Sequence, residues 1–484
     1  MANRGHSSNL LLLATNLVLS LSSLVLLGGS ITLEDNFHDI QVSSLFPATS
    51  CTSSLLHPNT NTNTEVDVER SSLKVLPRHG PCSPLASPKV KPPTPDQILN
   101  RDELRVNSIV ARISGQKPGP STLEDSKADL PAKPGSTVGT GNYVVTVGLG
   151  TPKKDLTLIF DTGSDLTWTQ CQPCARYCYK QQDPTFDPSL STSYTNISCS
   201  SAACSQLVSA TGSTPGCSVS TCVYGIQYGD SSYSVGFFGS EKLSLTTTDS
   251  FNNFLFGCGQ NNRGLFGGAA GLLGLGRDKL SIVEQTASKY GKYFSYCLPP
   301  SDSSTGHLTF GKGSSSVAQF TPLKTISQGA SFYGISILGI SVGGKKLPIP
   351  VSVFSNAEGI IDSGTVITRL PPTAYNALRS EFQQLMTKYP KAPALSILDT
   401  CYDFTKYPTV TIPKVGFWLG GGAYLDLDSS GILYAASMSQ VCLAFAGNSD
   451  DNEVLIFGNV QQKKYEVVYD LVGGRLGFQA NGCA

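Results

Sequence analysis

LIFDTGSDLTW, residues 158–168, is echoed later in the chain by GIIDSGTVIT, residues 359–368. In each copy an apolar run meets Asp, then Thr or Ser, then Gly, then a second hydroxyl residue: Asp161-Thr162-Gly163-Ser164 and Asp362-Ser363-Gly364-Thr365. A single tripeptide of this kind arises by chance about 0.2 times in a chain this long. Two of them, each following a run that reads as a buried strand, point to two carboxylates brought together from two similar lobes.

With 484 residues the chain exceeds what one core usually serves. Its 48 Gly and 29 Pro, with only 14% charged residues, indicate short strands joined by many turns, an all-β fold with few and short helices. Lys plus Arg equals Asp plus Glu, at 35 each, so neither nucleic acid nor an acidic surface is an expected partner. Of the histidines, His6, His38, His57 and His79 precede residue 136 and only His307 follows it. That excludes a histidine-rich metal site and leaves a Ser-His-Asp or Cys-His mechanism resting on one residue in a Ser/Thr-Gly loop. No metal and no cofactor is expected.

Cys51 and Cys82 precede residue 136, and the remaining 12 of the 14 cysteines follow it, an even number as a disulfide framework requires. Zinc binding by the cluster Cys171, Cys174, Cys178, Cys199, Cys204, Cys217 and Cys222 is the competing reading, which the CxxC spacing permits. An apolar leader favours disulfides. Residues 1–9 are polar, 10–27 mostly apolar, and Gly28-Gly29-Ser30 offers small residues for cleavage, so residues 1–30 read as a secretory signal peptide. A membrane anchor and a plastid transit peptide share parts of this pattern, and the mature chain is expected to keep no anchor.

Residues 31–135 read as a removable pro-segment, too rich in Ser, Thr, Asn and Pro to build a core. One helix is expected within it, capped by Asp96 and carrying Ile98, Leu99, Leu104, Ile109, Val110 and Ile113. From Arg70 to Lys117 nine Lys or Arg stand against three acids, either a solvated stretch or a cationic plug for an acidic cleft. Residues 136–320 form the expected first lobe and 321–484 the second. The first begins with two strands joined by a turn at Thr151-Pro152 and contains a cysteine-rich insert, 171–222, too poor in apolar residues to hold itself without cross-links. Asn196 opens a glycosylation sequon. Residues 223–245 read as a hairpin with its tip at Gly229-Asp230-Ser231, and 371–388 as a helix. The glycines of GGAAGLLGLG, 267–276, lack the Lys-Ser/Thr of a phosphate loop.

At these residues the chain resembles the pepsin-like aspartic endopeptidases, over roughly 140–484, which implies a bilobal β-barrel fold. The family's paired Asp-Thr/Ser-Gly loops fall on Asp161 and Asp362, and its apolar-apolar-Gly segments on Leu272-Leu273-Gly274 and Ile456-Phe457-Gly458. Its flap tyrosine falls on Tyr228, and the tryptophan after the first aspartate on Trp168. Ser363 replaces a more usual Thr, and Val366 stands where a hydroxyl is common. The insert is similar to that of the nepenthesin type, which implies the pairs Cys171–Cys174, Cys178–Cys258, Cys199–Cys222, Cys204–Cys217, Cys297–Cys483 and Cys401–Cys442. RHGPCSPL, 78–85, resembles a subgroup that includes chloroplast-nucleoid proteases, which keeps a plastid, DNA-associated reading open beside secretion to the apoplast.

The resemblance implies a monomeric zymogen acting on polypeptides in acid. Two adjacent carboxylates sharing one proton serve as base toward water and acid toward the scissile amide. Gly163 and Gly364 let the backbone approach them, Ser164 and Thr365 orient them by hydrogen bonds, and Thr162 and Ser363 tie the loops together. Tyr228 would close over bound peptide with its hydroxyl steadied by Trp168. A catalytically inactive relative, serving as inhibitor or binding protein, is the alternative; such proteins usually lose one loop or the flap tyrosine, and this chain has both loops and Tyr228.

Overall fold

Strand Tyr143–Leu149 and the buried part of strand Lys154–Asp161, from Leu156 onward, are mostly apolar because both of their faces are covered. They pair antiparallel, with Val144 opposite Ile159 and Val145 opposite Leu158, so the expected turn at Thr151-Pro152 is where the chain reverses. The computed structural model describes residues 36–48, 50–51, 70–86, 91–114, 143–228, 232–264, 266–313, 318–327 and 329–483. Residues 38–484 form one compact unit, which carries everything discussed below. The expected signal peptide and the hairpin tip at 229–231 lie outside the described residues.

The fold is bilobal and all-β, with few and short helices. Its organising unit occurs twice. Lys154–Asp161 lies parallel to Gly271–Gly274, which places Gly274 beside Asp161, and Leu272 then pairs antiparallel with Trp168. In the second half Gly359–Ile361 lies parallel to Leu455–Phe457, and Ile456 pairs antiparallel with Arg369. Each catalytic-type loop thus leaves the end of a buried strand held by the apolar-apolar-Gly segment. A core including Phe160, Phe294, Tyr296, Phe417, Phe457 and Tyr469 continues through both halves, with Phe294 stacked on Tyr469 at 4.3 Å between ring centres. The expected helix, 371–388, runs from Pro372 to Leu385 and buries Tyr375, Leu378 and Phe382, with Leu385 exposed and Met386 buried just past its end.

All described cysteines are in disulfides, which leaves none to a zinc cluster. Cys297–Cys483 and Cys401–Cys442 pair as expected. Within the insert four expected pairs are corrected. Cys171 joins Cys258 rather than Cys174, because Trp168–Gln170 runs parallel to Ser250–Arg263 and the Cys171 N–H donates to Gly259 O at 2.7 Å, bringing the two Cα atoms to 5.3 Å. Cys174 is then left to Cys178. Cys217 and Cys222 oppose each other in a hairpin, Cys217 exposed and Cys222 buried. The buried one bonds to Cys204, the buried residue of the short helix Ala202–Ser205, and the outward one to Cys199. Cys204, Leu207, Ala210 and Cys222 extend the apolar cluster around Trp168, so the staples attach the insert to the flap's foundation.

The pro-segment contributes more than the one expected helix. Ser71–Pro77 is a strand inserted between Gly306–Phe310 and Tyr143–Leu149, antiparallel to both, with Leu73 and Val75 buried and Lys74 outward. Its Leu-Lys-Val alternation is a strand signal obscured by the surrounding Ser and Pro. Cys51 is bonded to Cys82. The helix spans Pro95–Ile113, and its cap is Thr94 rather than Asp96. Thr94 Oγ1 accepts from the Gln97 N–H at 3.3 Å while Gln97 Oε1 accepts from the Thr94 N–H at 3.0 Å, a reciprocal box with Pro95 in the first turn.

Candidate active site

Asp161 and Asp362 meet at the ends of the two parallel strand pairs, both almost fully buried. The loops grip each other directly. The Thr162 N–H donates to Ser363 Oγ at 3.1 Å, and the Ser363 N–H donates to Thr162 Oγ1 at 2.9 Å. Each carboxylate accepts from its own loop: Asp161 from the Gly163 N–H at 3.0 Å and Ser164 Oγ at 2.5 Å, Asp362 from the Gly364 N–H at 3.1 Å and Thr365 Oγ1 at 2.6 Å. A Cβ at Gly364 would stand 2.5 Å from Asp161 Oδ1, and one at Gly163 2.9 Å from Asp362 Oδ1, so only glycine lets the carboxylates come together.

Trp168 is fully buried and donates from Nε1 to the Tyr228 hydroxyl at 2.7 Å. Phe266, which sequence reasoning did not single out, packs edge-on against Trp168 at 4.8 Å and against Tyr228 at 5.9 Å. Val366, in place of a hydroxyl residue, is buried in an apolar cluster with Leu99 of the pro-segment helix, which gives its side chain a packing role. His307 lies on strand Gly306–Phe310, bonded through Nε2 to Glu466 at 2.7 Å, and takes no part in the dyad. Asn196 is exposed on Thr195–Asn196.

The largest addition to the sequence reading is the occupant of the cleft. Arg105 of helix Pro95–Ile113 lays its guanidinium across both carboxylates. Nη2 donates to Asp161 Oδ1 at 2.6 Å and to Asp362 Oδ1 at 2.9 Å, Nη1 to Asp161 Oδ2 at 3.1 Å, and Nε to Asp362 Oδ2 at 2.9 Å. One turn earlier Asp102, also buried, accepts from the Val366 N–H at 2.6 Å and the Ile367 N–H at 3.1 Å. Its partner charge is Arg369, 3.1 Å away. Leu99, Val106 and Ile109 complete the buried face, while Leu104 is exposed.

Burial pushes the Asp161 carboxyl up, but the Arg105 charge and the bonds from Arg105, Ser164 and Gly163 outweigh it and hold it below the usual carboxylate range. For Asp362 burial wins over Arg105, and with the charge of Asp161 beside it the carboxyl is raised. The dyad's first proton therefore belongs on Asp362. Asp102 is also raised, by burial, against the pull of Arg369 and the two amides. Among the described residues no three His, Cys, Asp or Glu side chains gather as a metal site would require.

The family descriptions "Xylanase inhibitor N-terminal" and "Xylanase inhibitor C-terminal" match residues 143–312 and 332–480. The chain is 60% identical over 452 residues to an aspartyl protease family protein of Arabidopsis thaliana, covering 93% of this chain and 94% of the relative. It is 50% identical over 450 residues to aspartyl protease AED1 of Arabidopsis thaliana, covering 92% of each. Aspartic proteinase nepenthesin-1 of Nepenthes gracilis is 36% identical over 399 residues, covering 80% of this chain and 86% of that one. In fold the chain is similar to the crystal structure of edgp, with a TM-score of 0.58 and 21% identity over 72% of this chain and 93% of the other.

Proposed function

The chain belongs to the plant pepsin-like aspartic proteases and is an aspartic endopeptidase, and on that premise we propose that it is made as a secreted zymogen whose Asp161–Asp362 dyad hydrolyses peptide bonds in acid. The observation that carries the zymogen reading is Arg105, which spans both carboxylates from a segment preceding the protease body. With Arg105 removed, two carboxylates this close cannot both ionise and share a proton, as is established for this class of enzyme. The ionised carboxylate then takes the proton of a water aligned between them as the water oxygen bonds to the carbonyl carbon, while the protonated carboxyl gives its proton to the carbonyl oxygen of the scissile amide. The proton taken from water passes to the nitrogen as the C–N bond breaks, and the proton given to the carbonyl oxygen returns to the dyad as the product carboxyl forms. Ser164 and Thr365 fix the planes of the carboxylates, and Tyr228, seated on Trp168 and Phe266, shields the bound peptide.

The sign of the pH dependence follows from the cleft contacts. Arg105 lowers the proton affinity of both dyad carboxyls, so docking of the helix is favoured where the dyad is ionised and loses that support as pH falls through the docked values. For Asp161 that window lies below its ordinary 3.8. Asp102, raised by burial, works in the opposite sense, so release depends on the dyad. Seven disulfides and an exposed sequon at Asn196 support an oxidising, secretory route. Incubation of the full-length chain at stepped pH, followed by N-terminal sequencing and a peptide-cleavage assay, tests this reading. A new N-terminus between about residues 115 and 141 that appears only in acid is the expected result. Full activity of the intact chain at neutral pH would reject it.

A further inference from the structure

We propose that Arg369, with the backbone N–H groups of Val366 and Ile367, forms a carboxylate-binding subsite of the mature cleft that selects substrates with an acidic side chain near the scissile bond. The inference rests on the protease reading above and adds to it a substrate class. In this structure the subsite is filled by the chain itself. Asp102 sits on it with Oδ1 2.6 Å from the Val366 N and Oδ2 3.1 Å from both the Ile367 N and Arg369 Nη2. Arg369 is buried, and Nη1 is spent on its own loop, donating to Ile367 O at 2.9 Å. Nη2 faces the helix and also donates to Glu103 at 2.9 Å.

Departure of the helix removes both acids and leaves a guanidinium and two amide donors facing the cleft. An arginine held in a protein wall with unfilled donors recovers the lost bonds best from a carboxylate. The position is built into the fold rather than borrowed from the helix. Arg369 follows Asp362 by the same seven residues as Trp168 follows Asp161, and each pairs with the apolar-apolar-Gly strand, at Ile456 and Leu272. Where the first half carries the foundation of the flap, the second half carries a cation.

The distance to the chemistry follows from the occupant. Asp102 and Arg105 are one turn apart on one helix face, about 4.5 Å along the axis. Arg105 marks the dyad. An extended substrate advances about 3.3 Å per residue, which puts the selected acidic residue one or two positions from the cleaved bond.

The test uses the full-length chain matured in acid and a series of peptides identical except for Asp, Asn or Ala at each position flanking the scissile bond. Assayed near pH 5, where a free Asp side chain of pKa about 3.9 is ionised, kcat/KM for Asp over Asn should rise roughly tenfold or more at one position. Arg369→Gln should bring that ratio close to unity, and Arg369→Lys should restore part of it. A merely structural arginine would lower cleavage of all the peptides in proportion and keep the ratio, which would overturn the proposal. So would a wild-type ratio near unity at every position, a result that needs no variant to fold. Cleavage without acidic preference would remove this inference alone; no pepstatin-sensitive cleavage of any peptide would remove the protease reading with it.

Discussion

Replacing Arg105 by methionine keeps most of the helix's apolar stem and deletes the cation between the aspartates. Arg105 makes four contacts of 2.6 to 3.1 Å with the two carboxylates. It is 7% exposed, so solvent screens little of the attraction. Breaking a buried ion pair by removing one partner costs about 3–5 kcal/mol. The lower end applies here, because the freed dyad can take up a proton instead of remaining doubly charged. A loss of about 3 kcal/mol multiplies the population with an open cleft more than a hundredfold. The assay is cleavage of a fluorogenic peptide by freshly purified full-length protein near pH 5, before any new N-terminus appears. Arg105→Met should cleave at once and mature at higher pH, while the wild type shows a lag. An unchanged lag in the variant, with unchanged maturation pH, would refute the view that Arg105 holds the cleft shut.

Asp161→Asn and Asp362→Asn should each abolish cleavage without unfolding the chain, judged by peptide assay and thermal melts side by side. Asp102→Asn should slow maturation and shift it to lower pH, because burial raises the Asp102 carboxyl and its ionised form works against docking as pH rises, as timed N-terminal sequencing would record. Asp165 is buried beside Ser331 and the Asp278 N–H, and burial pushes its carboxyl up to about 6, so its contribution to stability is present in acid and lost as pH rises through about 6. A displacement from 3.8 to about 6 corresponds to about 3 kcal/mol, and Asp165→Asn should flatten the fall in melting temperature between acid and neutral pH accordingly. Thiol titration of the denatured, unreduced protein should find no free cysteine among the seven pairs.

The dyad was legible because its chemistry needs a fixed local sequence: Asp161-Thr162-Gly163 and Asp362-Ser363-Gly364 carry the orientation of the carboxylates within a few residues. Disulfide connectivity was not legible in the insert, because it depends on which strand lies beside Cys171 and which face of the hairpin Cys222 occupies, and spacing encodes neither. The strand at Ser71–Pro77 was hidden by its setting, although the outward Lys74 between buried Leu73 and Val75 is the alternation a half-buried strand produces. Arg105 was visible only as part of a cationic excess, and Asp102 only as one of the three acids set against it. They interrupt the apolar stripe formed by Leu99, Val106 and Ile109, and ionic groups placed mid-stripe on a helix are the sequence sign of a charged partner opposite. Phe266 carried no such sign, because its role depends on Trp168 and Tyr228 meeting across distant strands.

The most direct test of the central claim is active-site titration of the acid-matured chain with pepstatin during digestion of a denatured protein. One equivalent of inhibitor per chain should abolish cleavage, and neither Asp161→Asn nor Asp362→Asn should have activity left to titrate. Cleavage that persists in saturating pepstatin, or in either variant, would contradict the assignment of catalysis to this pair of aspartates.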